Sequence, residues 1–256
     1  MKVIILPTAE EVGDHAARAI IRGVASGTIS VLGVATGSSP LPVYRALAER
    51  GGANLRTLTA YALDEYVGLP GTHPQSYRSV INAEVTVPLG LDPDRVHVPD
   101  GSAVDIEAAC VSYESAISDS GGIDLQILGI GSDGHIGFNE PTSSFASRTR
   151  VKTLAPQTRA DNARFFDSID AVPIHCITQG LGTIMEARQI LLVARGARKA
   201  IAVAAAIEGP ITSMCPASIL QMHPSVTVVL DAAAASMLRL TEYYNYVAAN
   251  LPIWQR

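Results

Sequence analysis

The chain reads as an α/β protein, a largely parallel sheet with helices on both faces, and three observations predict it. Short apolar runs alternate with amphipathic segments along all 256 residues. Glycine, proline and aspartate cluster where the runs end, as strand-to-helix turns require. No internal repeat and no Pro/Gly/Ser linker divides the sequence, so residues 1–256 are expected to form a single domain, with 48% hydrophobic residues to fill its core.

In order, Val3–Leu6 is the first expected strand. Thr8-Ala-Glu-Glu11 supplies a capping box for a helix on which Val12, Ala16, Ile20 and Val24 share a face. Ile29–Val34 is the next strand and Thr36-Gly-Ser-Ser-Pro40 its turn. Leu41–Arg50 is the next helix, with Pro40 near its first turn. Further strand-like runs fall at Leu58–Leu63, Arg95–Val98, Leu125–Ile130, Ile190–Ala194 and Val226–Leu230, most of them separated by helical periodicity. One stretch breaks the alternation. Ser143–Pro173 is rich in Thr, Arg, Ser and Asp and reads either as a mobile flap over a pocket or as a solvated excursion.

Bulk properties narrow the function. A formal net charge of -5 and a pI of about 5.7, without any basic run, lack the attraction that nucleic acid or anionic lipid needs. A small ligand is the expected partner, with neither nucleic acid nor membrane. Cys110, Cys176 and Cys215 are scattered, without a CxxC pair, and read as core thiols in a reducing compartment. The apolar start is too short for a signal peptide or a span, so a cytoplasmic location is expected.

The chemistry concentrates at strand ends. Asp133-Gly-His135-Ile-Gly-Phe-Asn-Glu140 sets two carboxylates around one histidine directly after the strand Leu125–Ile130. Open α/β sheets carry their ligand sites at such carboxyl ends. Three uses present themselves: a metal site, a hydrogen-bond knot, or an acid–base relay in which Asp133 or Glu140 fixes the tautomer of His135. Metal ligation is disfavoured, because His15, His73, His97, His175 and His223 are dispersed and none sits at ligand spacing. Asp64, after another strand, would share the pocket if the strands are parallel. Its plain alternative is to cap a turn or helix. Thr36, Gly37, Ser38 and Ser39 form a turn between strand and helix whose N–H groups and hydroxyls can converge on an anion, though such turns are also routine connections. It matches neither the P-loop nor the GxGxxG spacing. Lys199 opens an almost wholly apolar helical run, either as a snorkelling surface residue or as a cation aimed at a phosphate.

Taken in order, Ala35-Thr-Gly-Ser-Ser-Pro40, Leu63-Asp-Glu-Tyr-Val-Gly-Leu-Pro70, His73-Pro-Gln-Ser-Tyr77, Gly129–Pro141 and Ser147-Arg-Thr-Arg150 resemble the glucosamine-6-phosphate deaminase family. Asn162-Ala-Arg-Phe-Phe166, Gln179–Thr183, Lys199-Ala and Leu220–Pro224 agree with it in order. The resemblance implies a modified Rossmann-like fold and conversion of glucosamine 6-phosphate and water to fructose 6-phosphate and ammonia, without metal or organic cofactor. It implies that His135 assists opening of the sugar ring, with Asp133 and Glu140 tuning it, and that Asp64 moves a proton between C2 and C1. It also implies a phosphate site at Thr36–Ser39 with Arg164 and Lys199, and a mobile lid over about 143–173 that carries Arg164. Ser39 stands where many members have threonine, which keeps the hydroxyl. Ser143, Arg150 and Lys152 align with residues through which some hexameric members bind an activator, N-acetylglucosamine 6-phosphate. Met214-Cys-Pro-Ala-Ser218 looks closer to shorter, non-allosteric members, so a homo-oligomer is compatible with the resemblance but not required by it.

Two rivals are weighed. A 6-phosphogluconolactonase-like hydrolase would share the fold and bind a sugar phosphate, but needs no base for C1–C2 proton transfer, so Asp64-Glu-Tyr66 favours the deaminase. A non-catalytic sugar-phosphate sensor of transcription would carry a helix-turn-helix segment, for which a strand already running from Val3 leaves no space ahead.

Overall fold

In a computed structural model, which describes residues 1–252, the strands are β1 (Lys2–Leu6), β2 (Val31–Val34), β3 (Thr59–Ala62), β4 (Asp64–Tyr66), β5 (Val96–His97), β6 (Leu125–Leu128), β7 (Arg150–Thr153), β8 (His175–Thr178), β9 (Gln189–Ala194) and β10 (Val226–Asp231). Seven of them form one sheet in the order β1-β10-β9-β6-β2-β3-β5, and every pairing in it is parallel. The helices are α1 (Ala9–Ala25), α2 (Leu41–Arg50), α3 (Tyr77–Ile81), α4 (Val87–Leu89), α5 (Ile106–Asp119), α6 (Pro156–Asn162), α7 (Leu181–Met185), α8 (Ala200–Glu208) and α9 (Thr241–Ala249).

The parallel sheet is buried on both faces because apolar residues fill most positions of its strands rather than alternate ones only. Ile4, Leu32, Leu125, Ile127, Leu191 and Val229 face one way and pack with α1, α2 and the helical stretch from Ile81 to Leu89. Val3, Val31, Leu128, Leu192 and Val228 face the other and pack with α5, α7 and α8. Alternate residues of one strand thus serve two cores. The capping box at Thr8 forms as expected: its hydroxyl accepts from Glu11 N at 3.2 Å while the Glu11 carboxylate accepts from Thr8 N at 3.1 Å. The aliphatic content of the two cores, not local propensity, holds these short elements in place.

The strand order reverses between β2 and β6. From β2 the chain moves outward to β3 and β5, then returns to the other side of β2 to form β6, and continues toward β9 and β10. Loops leaving β2 and β6 diverge there and open a crevice, the position at which α/β sheets bind ligands.

A second sheet departs from the alternating pattern. β4, β8 and β7 form an antiparallel sheet in that order, with Asp64 opposite Thr178 and Arg150 opposite the same residue on the other side. The stretch Ser143–Pro173 is therefore partly woven into a sheet rather than wholly an excursion. β7 was hidden in the sequence because it is polar and half exposed, while β4 follows β3 after a single residue and reads as its extension. The last four residues of the expected 1–256 domain lie outside the described residues.

Candidate active site

A cavity of about 1030 Å³ opens at the carboxyl edge of the parallel sheet, over the switch point. Thr36, Gly37, Ser38 and Ser39 after β2, Asp64 after β3 and His135 after β6 all line it, as do Arg164 and Lys199. The three strand ends singled out in the sequence thus converge on one space.

Asp64 sits where the chain leaves the large sheet for the small one. Leu63 N still bonds to Val34 O in the manner of the parallel ladder, and Asp64 then pairs with Thr178 of β8. It caps no helix and no turn; Ser76 is the residue that caps α3. Walls of sheet on both sides leave the Asp64 carboxyl 5% exposed. Burial, reinforced by the neighbouring Glu65 carboxylate, pushes its pKa up to about 8, against the pull of His135 and the Phe138 N–H. Glu65, next in sequence, faces away and accepts from the backbone N–H groups of Tyr66, Tyr77 and Arg78 at 2.8, 2.8 and 2.9 Å, tying β4 to the start of α3.

His135 is held between its two carboxylates through one ring nitrogen. Nδ1 lies 2.7 Å from Asp133 Oδ1 and 3.6 Å from Glu140 Oε2, so Asp133 is the nearer partner. These are ion-pair approaches; no aligned hydrogen bond reaches His135 Nδ1 or Glu140 Oε2. Burial lowers the basicity of the ring, but the flanking Asp133 and Glu140 outweigh it and push the pKa up to about 9. Burial opposes ionisation of Asp133 as well, yet the histidine holds its carboxyl well below the usual range. Asp133, His135 and Glu140 bring ligand atoms within 4.8 Å of one another, a donor set a divalent cation could share, although the same contacts raise the ring's affinity for a proton, with which such a cation competes.

The loop that delivers these groups is fixed by close approaches. A Cβ at Gly131 would meet the His135 ring at 2.3 Å, and one at Gly137, whose φ is +55°, would come within 2.9 Å of Thr178 Oγ1 and 3.5 Å of Asp64 Oδ2. Both positions need glycine for the ring and the carboxyl to sit as they do. Thr142, just past Glu140, has a φ of 73°, a strained value for a β-branched residue, sustained by its N–H donating to Ser213 O at 2.8 Å. Glu140 Oε1 accepts from Thr158 Oγ1 at 2.6 Å and from Ala155 N at 3.3 Å. Glu140 is thereby joined to the start of α6, the element that leads to Arg164.

Of the residues aligned with an activator site, none lines the cavity. The Ser143 hydroxyl donates to Glu140 O at 2.7 Å and Arg150 Nη1 donates to Asn139 Oδ1 at 2.9 Å, so both brace the loop carrying Glu140. Lys152 lies half-buried on β7, outside that brace.

Sequence reasoning missed three contributors. Tyr77 lines the cavity, its ring packed against Tyr66 and stacked on Phe138 at centroid distances of 4.9 and 5.7 Å. Arg195 and Arg198 line it beside Lys199, in a loop held by Asp231, whose carboxylate accepts from Gly196 N at 2.9 Å and from Ala234 N at 2.7 Å. Three cations within five residues, Arg195, Arg198 and Lys199, directly after an apolar strand were the available signal.

The fold and cleft define an α/β protein in which Asp64 and His135 share one cavity with the Thr36–Ser39 turn, Arg164 and Lys199 at the switch point of a parallel sheet. A family model described as glucosamine-6-phosphate isomerases/6-phosphogluconolactonase matches residues 7–229, and the chain belongs to that family. It is 57% identical to a glucosamine-6-phosphate deaminase of Arthrobacter sp. strain FB24 over 258 residues, covering 100% of this chain and 99% of that one. It is 56% identical to that of Streptomyces coelicolor, with the same coverage. Among solved structures, a monomeric glucosamine-6-phosphate deaminase superposes with a TM-score of 0.89 at 43% identity, over 93% of this chain and 100% of that one. A 6-phosphogluconolactonase from Trypanosoma cruzi shares the fold, with a TM-score of 0.76 at 21% identity over 93% of this chain and 97% of its own.

Proposed function

We propose that this protein is an aldose–ketose isomerase and deaminase that converts glucosamine 6-phosphate and water to fructose 6-phosphate and ammonia in amino sugar catabolism. The observation that carries the reading is the placement of Asp64 and His135 in one cleft beside a cationic anion cradle. The identity to deaminases over the full chain supports it over lactone hydrolysis, since the lactonases that share the fold are only about one-fifth identical to this chain.

In this reading the substrate phosphate sits against the N–H groups and hydroxyls of Thr36–Ser39 with Lys199 and Arg164 supplying charge. His135, cationic below pH about 9, donates a proton to the ring oxygen as the C1 hydroxyl loses its own, which opens the ring to the aldehyde. Asp64, once ionised, removes the proton from C2 and returns it to C1. As O1 takes up a proton and the nitrogen at C2 gives one up, C2 becomes an imine; water adds there, and ammonia leaves as the ketose forms. A carboxylate poised near pH 8 by burial is a stronger base than one in water, and burial keeps it from exchanging protons freely. Residues 143–173 act as a lid: they bring Arg164 to the phosphate and Thr158 to Glu140.

A relative of the same fold, 43% identical, has been solved as a monomer, which supports a site complete without a partner subunit. The three buried, unpaired cysteines support a reducing, cytoplasmic setting, and no described helix is long and apolar enough to cross a membrane. Incubation with glucosamine 6-phosphate tests the proposal: ammonia and fructose 6-phosphate are expected in equal amounts. Absence of both contradicts it, and hydrolysis of a 6-phosphogluconolactone without ammonia supports the lactonase instead.

A further inference from the structure

The opposite, amino edge of the parallel sheet carries a second cavity, of about 370 Å³, near the first residues of β1, β6, β9 and β10. Its apolar floor includes Ile4, Leu125 and Leu191, and its cationic wall is made by Lys2, His15 and Arg22. His15 and Arg22 stand seven residues apart on α1 and so share one helix face, while Lys2 opens β1 beside them. Among the described residues, no aspartate or glutamate lines the space. The nearest carboxylate in sequence, Asp14, is taken by Arg18 at 2.9 Å and Arg50 at 2.6 Å. Among the described residues, no hydrogen bond or ion pair holds the side chain of Lys2, His15 or Arg22.

Gathering unpaired cations is unfavourable unless something of opposite charge joins them, and a protein of net charge -5 had carboxylates available to place there. The molecule registers the repulsion: burial and Arg22 lower the basicity of Lys2, and burial with Lys2, Arg18 and Arg22 does the same to His15 against the smaller opposing pull of Asp14. His15 is accordingly a neutral hydrogen-bonding group at neutral pH, beside two fixed positive charges.

We infer that this amino-edge cavity binds a small phosphate-bearing anion, separate from the cleft at the carboxyl edge. The phosphate lies between Lys2 and Arg22, which make charge-assisted hydrogen bonds to it, while His15 donates one more. The apolar floor takes the carbon skeleton of an organic phosphate. The cavity is at the small end of ligand pockets, large enough for a phosphorylated monosaccharide and too small for a dinucleotide.

Equilibrium dialysis of the full chain against radiolabelled inorganic phosphate tests this without reference to turnover, so failure of the deaminase reading leaves it standing. Wild type is expected to bind two equivalents, one at each edge of the sheet. The double variant Lys2→Gln/Arg22→Gln should keep one, with affinity at the lost site reduced by about tenfold for each charge removed. Lys199→Met should weaken the other. Lys2→Arg/Arg22→Lys, which keeps both charges, should retain two, and matching circular dichroism melts without phosphate show that the variants fold. Glucose 6-phosphate forms the second arm: tighter binding than inorganic phosphate at the amino edge identifies an organic phosphate as the ligand, and equal binding identifies the free anion. A wild-type protein that binds no equivalent, or none that is lost in Lys2→Gln/Arg22→Gln, overturns the inference, whereas a single equivalent lost in that double variant and kept in Lys199→Met upholds it.

Discussion

The two halves of the carboxyl-edge cleft are built on opposite plans. In one half Asp64 is buried and His135 is half-buried between Asp133 and Glu140, and both are far from their ordinary proton affinities. Around Thr36–Ser39 the donors are backbone and hydroxyl groups of a turn, and the Arg164 side chain stands exposed at the rim. The difference follows from the work proposed for each half. Proton transfer from carbon gains from a desolvated base, whereas a dianionic phosphate arriving from water gains from charge it can reach before it is stripped of its hydration. Substitutions should therefore separate into those that slow the reaction and those that weaken binding.

The largest effect is expected at the ring half. His135→Asn should lower kcat by about 10²- to 10⁴-fold with KM little changed, measured by ammonia release. A change confined to KM would erase the contrast between the halves. In the cradle, Lys199→Met should raise KM on the order of ten- to a hundredfold, the loss of one charge-assisted contact, with a smaller effect on kcat. Thr158→Val tests the bridge between them. It removes the 2.6 Å hydrogen bond to Glu140 Oε1 and should cost about tenfold in kcat, with the pH profile displaced, because Glu140 would be freed to approach His135 differently. A rise in KM alone would assign Thr158 to the cradle.

The smallest effect concerns stability. Asp64 in the folded protein holds its proton up to pH about 8, above the unfolded value near 4, so the folded state binds more protons across that window and stability falls as pH rises through it. His135, raised to about 9, acts in the same direction between about pH 6.5 and 9. The melting temperature should therefore decline from pH 6 to pH 9, and Asp64→Asn should flatten the decline. An unchanged slope in that variant would mean that the Asp64 carboxyl is not the buried acid described.

The same contrast explains what was readable in the chain. The seven parallel strands announced themselves because both their faces are apolar, and the carboxyl ends of β2, β3 and β6 were then placed together by topology alone. The three-stranded antiparallel sheet was not legible. β7 alternates half-buried Arg150 and Lys152 with exposed Val151 and Thr153, a pattern that resembles a polar loop, and its partner β8 lies more than twenty residues away. That small sheet is what buries Asp64, so its position could be read from sequence while its raised proton affinity could not. The choice between Asp133 and Glu140 as the partner of His135 was likewise a matter of angstroms, decided by the tie of Glu140 to Thr158.

The central claim is that Asp64 serves as the base for C2–C1 proton transfer and takes no part in holding the phosphate. Asp64→Asn, with turnover followed by ammonia release and glucosamine 6-phosphate binding followed by calorimetry, tests it most directly. The account predicts that turnover falls by about 10²-fold or more while the dissociation constant stays within about threefold of wild type. Normal turnover, or a loss of binding that matches the loss of turnover, would contradict it.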